Sequence, residues 1–323
     1  MSDFKVTLLG TGTPIPVPDR FGPSTLVEAG DQKLLFDAGR GASIRLHQLG
    51  VPIGSIDALL LTHFHSDHTV GIPDVWLTGW LESSFGTRTA PLRVIGPAGA
   101  KTLMTHLEQA YALDVCIRTK DEKLSAQGAA IDVSEFSADG VVYERSGVRV
   151  IAFEVDHGAA IKPAYGYRIE YDGRSVVISG DTRFDQNVIK YGRGVDLLIH
   201  EVAIVRPELL AEPFIQRIMA HHTTASEAGT VFAMTRPRLA AYTHLVLLSS
   251  KTVPRASVDE LIAQTRQTYD GPLEVGEDLM RFEIGEDISV RRLAGAGEGL
   301  GAAAGHYKNV MSLLGPSLAL RDV

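Results

Sequence analysis

Short apolar runs and longer stretches of helical periodicity alternate along the chain, punctuated by Gly, Pro and Asp. The segments "KVTLLG" (5–10), "STLVEA" (24–29) and "KLLFDAG" (33–39) have the length and flanking residues of strands. By contrast, "GASIRLHQLG" (41–50) repeats its apolar residues at helical spacing and stops at Gly50. The continuous apolar run "IDALLLTH" (56–63) predicts a strand buried on both faces. Helical spacing returns at 69–80, interrupted by Pro73, and at 98–113. A second group of strands is predicted at 141–157, 164–181 and 195–202, with a hairpin turn at Asp172-Gly173. Helices are expected near 206–218, 224–235 and 256–269, and Thr224 and Glu227 have capping-box spacing. The stretch "RLAAYTHL" (238–245) and a last strand, 279–285, close the pattern. Strands and helices recur in both halves, which predicts an α/β fold of two sheets packed face to face with helices outside. Gly and Ala take over from about residue 293, so the expected division is a folded domain at 1–290 and a Gly/Ala-rich C-terminal tail at 291–323.

Composition narrows the chemistry. The 323 residues are 45% hydrophobic and 22% charged, ordinary for a globular chain with a sizeable core. The opening "MSDFKVTLLGTGTP" lacks a basic region leading into an apolar one, and no apolar run approaches the roughly 18 residues of a membrane span. The single cysteine, Cys116, excludes an internal disulfide and a thiolate-rich zinc site. A cytoplasmic protein is expected, in which any metal is held by His and carboxylates. The net charge of −8 argues against a broad nucleic-acid footprint, so nucleic acid is not an expected partner.

Candidate chemistry is concentrated in "LLLTHFHSDHTVG" (59–71). His63, His65, Asp67 and His68 form H-x-H-x-D-H where an apolar strand gives way to a turn. In an extended segment, residues i and i+2 share a face, so His63 and His65 can converge on one point. Asp67 and His68, past the turn, can address a second. Three further ligand-type residues close later strand-like runs: His157 in "VIAFEVDHG", Asp181 in "RSVVISGDT" and His244 in "RLAAYTHL". The set of five His and two Asp suits two metals sharing one carboxylate, and such ions sit about 3.5–4 Å apart. Two zinc ions per chain are expected; manganese or iron(II) would also suit these donors.

The segments "LLGTGTP", "FDAGRG", "THFHSDH", "VDHG", "SGDT", "IHEV", "AHHTT" and "THL" together resemble the metallo-β-lactamase superfamily, whose fold is a four-layer αββα sandwich. The likeness runs from residue 5 to about 285. It implies that His63, His65 and His157 hold one metal, that Asp67, His68 and His244 hold the other, and that Asp181 bridges them. "IHEV" (199–202) is similar to the His-Glu-Ala-Thr segment of ribonuclease Z, with Val202 and Ala203 departing from it, and "AHHTTASEAG" (220–229) to its His-Ser-Thr helix start. On that likeness Glu201 orients His222, which protonates the leaving group, and His221 is a bystander; Asp67, facing the attacking water, is expected to orient it and accept its proton. The same family usually inserts a long tRNA-binding arm between its third histidine ligand and bridging aspartate. Here Asp181 follows His157 by 24 positions, with room for a hairpin only and no Lys/Arg cluster between them. The opening "GTGTPIPVPDRFGPSTLVEAG" looks more like the arylsulfatase-like metallo-hydrolases.

The resulting expectation is a dinuclear metal-dependent hydrolase that cleaves a small-molecule ester, an aryl sulfate or a phosphodiester, by attack of a metal-bridging hydroxide. The alternatives are a ribonuclease Z-type tRNA 3′-processing endonuclease, a lactone or carboxylester hydrolase, and a non-catalytic metal-binding scaffold. The resemblance also suggests a homodimer. Asp37 is read as holding loops rather than metal, His47, His106, His200 and His306 as non-ligands, and Trp76 and Trp80 as core.

Overall fold

The computed structural model describes residues 3–292, so the tail from 293 onward lies outside the described residues. The first sheet is laid down by β1 (Phe4–Gly10), β2 (Ser24–Ala29), β3 (Gln32–Phe36), β4 (Ala58–Leu60), β5 (Leu92–Pro97) and β6 (Ile131–Phe136). The second comprises β7 (Gly140–Arg145), β8 (Val148–Glu154), β9 (Tyr165–Tyr171), β10 (Arg174–Ile178), β11 (Leu197–Ile204), β12 (Leu239–Leu247) and β13 (Leu273–Val275). The chain then returns to the first sheet with β14 (Met280–Ile284) and β15 (Ile288–Arg292). The orders are β15-β14-β1-β2-β3-β4-β5-β6 and β13-β12-β11-β10-β9-β8-β7.

Helices α1 (Ala42–Gln48), α2 (Ser66–Thr69), α3 (Ile72–Trp80), α4 (Ala100–Ala110), α5 (Ala112–Asp121) and α6 (Ala126–Ala129) belong to the first half. The second half adds α7 (Gln186–Gly192), α8 (Pro213–Met219), α9 (Ala225–Thr235) and α10 (Val258–Thr265). The expected capping box is present: the Thr224 hydroxyl accepts from Glu227 N, and Thr224 N donates to Glu227 Oε2 at 2.9 Å.

Three apolar layers hold these elements. Between the sheets, Val6 and Leu8 of β1 and Phe36 of β3 pack with Tyr167, Ile169 and Ile199 of the second sheet. Outside the first sheet, Leu35, Leu59 and Leu61 meet Leu46 of α1, Trp76 of α3 and Met104 of α4. Outside the second, Val177 and Leu198 meet Val188 of α7, Phe232 of α9 and Leu261 of α10. Each such fully buried side chain contributes about 1.5–3 kcal/mol. Helix, sheet, sheet and helix thus stack in the four-layer sandwich that the resemblance implied. The apolar run at 56–63 is explained by the same geometry, because Leu60 faces the partner sheet while Leu59 and Leu61 face the helices. Trp76 and Trp80 are core, their indole N–H groups donating to Ala129 O and Ser125 O.

Parallel pairing places the functional edge. β3, β4, β5 and β6 run parallel in the first sheet, as do β10, β11, β12 and β13 in the second. Loops leaving the carboxyl ends of parallel strands gather along one rim, where open α/β sheets bind ligands.

Candidate metal centre

Three strand ends and one position inside a strand, His244, whose run continues to Leu247 rather than closing at 245 as expected, deliver the ligand-type side chains to that rim. The segment after β4 brings His63 and His65 and opens α2, which carries Asp67 and His68. His157 follows β8, Asp181 follows β10, and His244 lies within β12. Glu201 lies opposite Thr243 across β11 and β12, but Val202 lies opposite Leu245. His244 is therefore the extra residue of a bulge, with φ 44, and a bulge re-aims the side chain that it carries.

The seven residues converge. His63, His65, His157 and Asp181 form one group whose ligand atoms lie within 4.8 Å of one another, and Asp67, His68 and His244 form a second. Asp181 Oδ2 stands between them, 4.0 Å from His63 Nε2, 3.8 Å from His157 Nε2, 3.3 Å from His68 Nε2 and 3.2 Å from His244 Nε2. Asp67 Oδ2 is 3.3 Å from His244 Nε2 and 3.8 Å from His68 Nε2.

The ring nitrogens show which atoms are free to ligate. His68 Nδ1 is 2.7 Å from Asp37 Oδ2, so it carries the proton and leaves Nε2 as the donor. The Thr62 hydroxyl donates to Asp37 Oδ2 at 2.7 Å and therefore accepts from His63 Nδ1 at 2.9 Å. His157 Nδ1 donates to His221 O at 2.8 Å. In His63 and His68 the opposite nitrogen, Nε2, is buried without a hydrogen-bond partner. Buried unpaired imidazole nitrogens converging on carboxylates fit divalent cations, which take neutral imidazole and carboxylate together. Asp37 thus braces one histidine from each group, directly and through Thr62, at a backbone φ of 57. Such outer partners fix the tautomer and ring orientation of ligating histidines. Thr62 was not singled out from the sequence, where a threonine ahead of the motif carries no signal of its own.

Protonation follows burial and charge. Burial holds His63 well below its ordinary value and His157 at about 4, so both are neutral donors at pH 7. Burial also opposes protonation of His68, but the Asp181 and Asp37 carboxylates raise it well above the ordinary value in the metal-free protein. Cations entering this site displace a proton there. Burial pushes the Asp67 carboxyl up, yet the His244 hydrogen bond and the His68 charge outweigh it and hold it below the usual range.

Glu201 and His222 stand beside the cluster. Glu201 Oε2 is 3.3 Å from His222 Nδ1, while Oε1 accepts from Thr223 N at 2.9 Å and Thr182 N at 3.3 Å. The carboxylate therefore ties the loop after Asp181 to the loop that carries His222, two backbone contacts that a linear reading does not show. Burial works against a charged His222, but Glu201, helped by Asp181 and Asp67, pushes it up to about 9 in the metal-free protein. His222 also falls within ligand distance of Asp181 and His244; its pairing with Glu201 favours a proton donor. His221, expected to be a bystander, supplies the backbone carbonyl that fixes His157. His200 is buried with Nδ1 at its neighbour's carbonyl, and His47 and His106 belong to none of the groups that could hold a metal.

The sequence model of the family described as "Anti-Pycsar protein Apyc1" matches residues 4–211. Proteins named Ribonuclease Z from Mycobacterium marinum (strain ATCC BAA-535 / M) and Mycobacterium tuberculosis (strain ATCC 25618 / H37Rv) are 35% and 34% identical to this chain over 283 residues, 87% of this chain and 98% of each relative. The crystal structure of human tRNase Z, short form, is similar with a TM-score of 0.65 at 22% identity, over 87% of this chain and 99% of that one. The metallo-β-lactamase fold protein YhfI from Bacillus subtilis gives 0.65 at 20% identity, over 86% and 98%. These likenesses correct the expectation that nucleic acid is an improbable partner, since relatives alike along almost their whole length bear the name of a ribonuclease. A net charge of −8 averages over the whole surface and does not describe the field at one rim. No helix among the described residues is long and apolar enough to cross a membrane.

Proposed function

Because the chain belongs to the metallo-β-lactamase superfamily, to its ribonuclease Z branch and, over residues 4–211, to the family described as Anti-Pycsar protein Apyc1, we propose that this metal-dependent hydrolase cleaves phosphodiester bonds in RNA, as a tRNA 3′-processing endonuclease. The observation that carries the reading is the Glu201–His222 pair at 3.3 Å beside the Asp181 cluster. An RNA phosphodiester leaves as a poorly stabilised alkoxide and needs a positioned acid; an aryl ester does not. The aryl sulfate reading therefore gives way to the phosphodiester one.

His63, His65 and His157 would hold one cation and Asp67, His68 and His244 the other, with Asp181 shared. Bound there, two divalent cations supply the Lewis acidity and acidified water of metal-assisted hydrolysis. Asp67, kept ionised, accepts a hydrogen bond from the attacking water and orients it. His222, held by Glu201, delivers its proton to the departing oxygen. Asp37 and Thr62 hold the histidine rings so that little reorganisation accompanies the reaction.

A smaller phosphodiester is the second reading, favoured by the 158–180 connection, which β9 and β10 fill with a hairpin and no protruding arm. The test is side-by-side turnover of a pre-tRNA with a 3′ trailer, bis(p-nitrophenyl) phosphate and p-nitrophenyl sulfate by metal-analysed protein. Trailer removal at the tRNA 3′ end supports the first reading. Turnover of the aryl phosphodiester alone supports the second, and preference for the sulfate refutes both.

A further inference from the structure

One side of the rim is built from three segments distant in sequence: the 158–163 connection, the loop following Asp181, and the end of α8 leading into His221. They are packed together. A Cβ on Gly158 would touch His221 Cβ at 3.4 Å, and Arg183 N donates to Asp156 O at 2.8 Å. Two cations stand here: Arg183, which pairs with the Asp156 carboxylate, and Lys162, exposed on the adjoining 158–163 connection. Asp185, the next acid in this corner, is committed to backbone donors, accepting from Asn187 N and Asp156 N. His221, in the same corner, stacks its ring on that of His222 at 5.6 Å.

The ion pair between Arg183 and Asp156 is open to water, each side chain being 45% exposed. An exposed pair of this kind is worth only about 0–1 kcal/mol, so its cation is available to a better partner. A phosphate oxygen offers one, because guanidinium and phosphate pair bidentately.

We propose that Arg183 and Lys162 form a phosphate-gripping lip that holds the RNA backbone next to the scissile bond, with Asp156 as the anion that keeps Arg183 extended until the substrate arrives. The inference rests on the RNA reading above. It explains how a chain of net charge −8 meets a polyanion: the fold gathers cations from separate loops at the rim, beside the expected proton donor.

The bland alternative is that Arg183 and Asp156 only clip two ligand loops together. The two accounts predict opposite signs for Asp156→Asn. A clip loses its contact in Asp156→Asn and Arg183→Gln alike, so both would weaken RNA binding or leave it unchanged. A lip loses a cation in Arg183→Gln but frees one in Asp156→Asn. The experiment measures binding of a pre-tRNA with a 3′ trailer to full-length wild type, Arg183→Gln, Lys162→Gln and Asp156→Asn across a salt series, with metal content determined for each. Expected are affinities about tenfold weaker for the two cation variants, a log–log salt slope shallower by about 0.7 per lost contact, and tighter binding by Asp156→Asn. Unchanged slopes in the cation variants, or weaker binding by Asp156→Asn at full metal content, would overturn the lip. Failure of the wild type to bind or cleave the pre-tRNA, with turnover of bis(p-nitrophenyl) phosphate intact, would instead sink the RNA reading and the lip with it.

Discussion

Replacing Glu201 by Gln tests the proton donor where the structure gives a number. His222 has an ordinary value of 6.5 and is pushed up to about 9. That interval is a factor of about 300 in the protonation equilibrium, or about 3 kcal/mol favouring the imidazolium. Burial opposes it, and Glu201 at 3.3 Å is the largest favourable contributor, ahead of Asp181 and Asp67. Gln keeps the shape and a hydrogen-bond acceptor but removes the charge. In chelator-treated protein, the His222 ring signal followed by NMR against pH should therefore titrate near 9 in wild type and at about 7 or below in Glu201→Gln. The stability dependence follows with a definite sign. A group whose value rises on folding contributes its full stabilisation below 6.5 and loses it as pH climbs through about 9. Wild type should accordingly lose stability across that window, and the variant much less. In the loaded enzyme, turnover of a substrate with a poor leaving group should fall on the alkaline side, and that limb should move to lower pH in Glu201→Gln. A His222 titration that stays above about 8 in the variant would refute the reasoning.

Further substitutions probe the remaining parts. Asp181→Ala removes the oxygen central to both ligand groups and should lower bound metal, measured by elemental analysis; a full metal load would end its bridging assignment. Thr62→Val should weaken metal affinity about 10–100-fold, while Thr62→Ser should restore most of it, because the hydroxyl links His63 to Asp37. Gly39→Ala would place a Cβ 2.5 Å from Asp67 O and 2.4 Å from Gly22 C. It should displace Asp67 and reduce turnover by more than about tenfold, whereas wild-type rates would show that the backbone there yields freely.

The candidate ligands stood out in the sequence because His63, His157 and Asp181 each end an apolar run and His65, Asp67 and His68 crowd the turn after the first of them. The outer support did not. Asp37 reaches His68 across 31 positions, and Thr182 N and Thr223 N reach Glu201 across 19 and 22. Such partners are set by loop packing that no local pattern encodes. The capping box of α9 was readable, being a four-residue device. Helix α5 was missed beyond its first residues because it buries no residue fully and so leaves little apolar periodicity. The edge strand β6 was missed for a similar reason, since none of its residues is fully buried. The nucleic-acid expectation failed because a summed charge says nothing of the field at any one part of the surface.

The bulge at His244 bears on how such a centre can be transplanted. The residue is an irregularity of spacing, one position more on β12 than on β11, and its left-handed backbone is part of how this candidate ligand is aimed. Copying the seven side chains onto a regular sheet would leave this imidazole pointing to the wrong side of the strand. A graft would have to carry the extra position with it, and deleting one residue nearby would re-aim this imidazole without changing any of the seven residues.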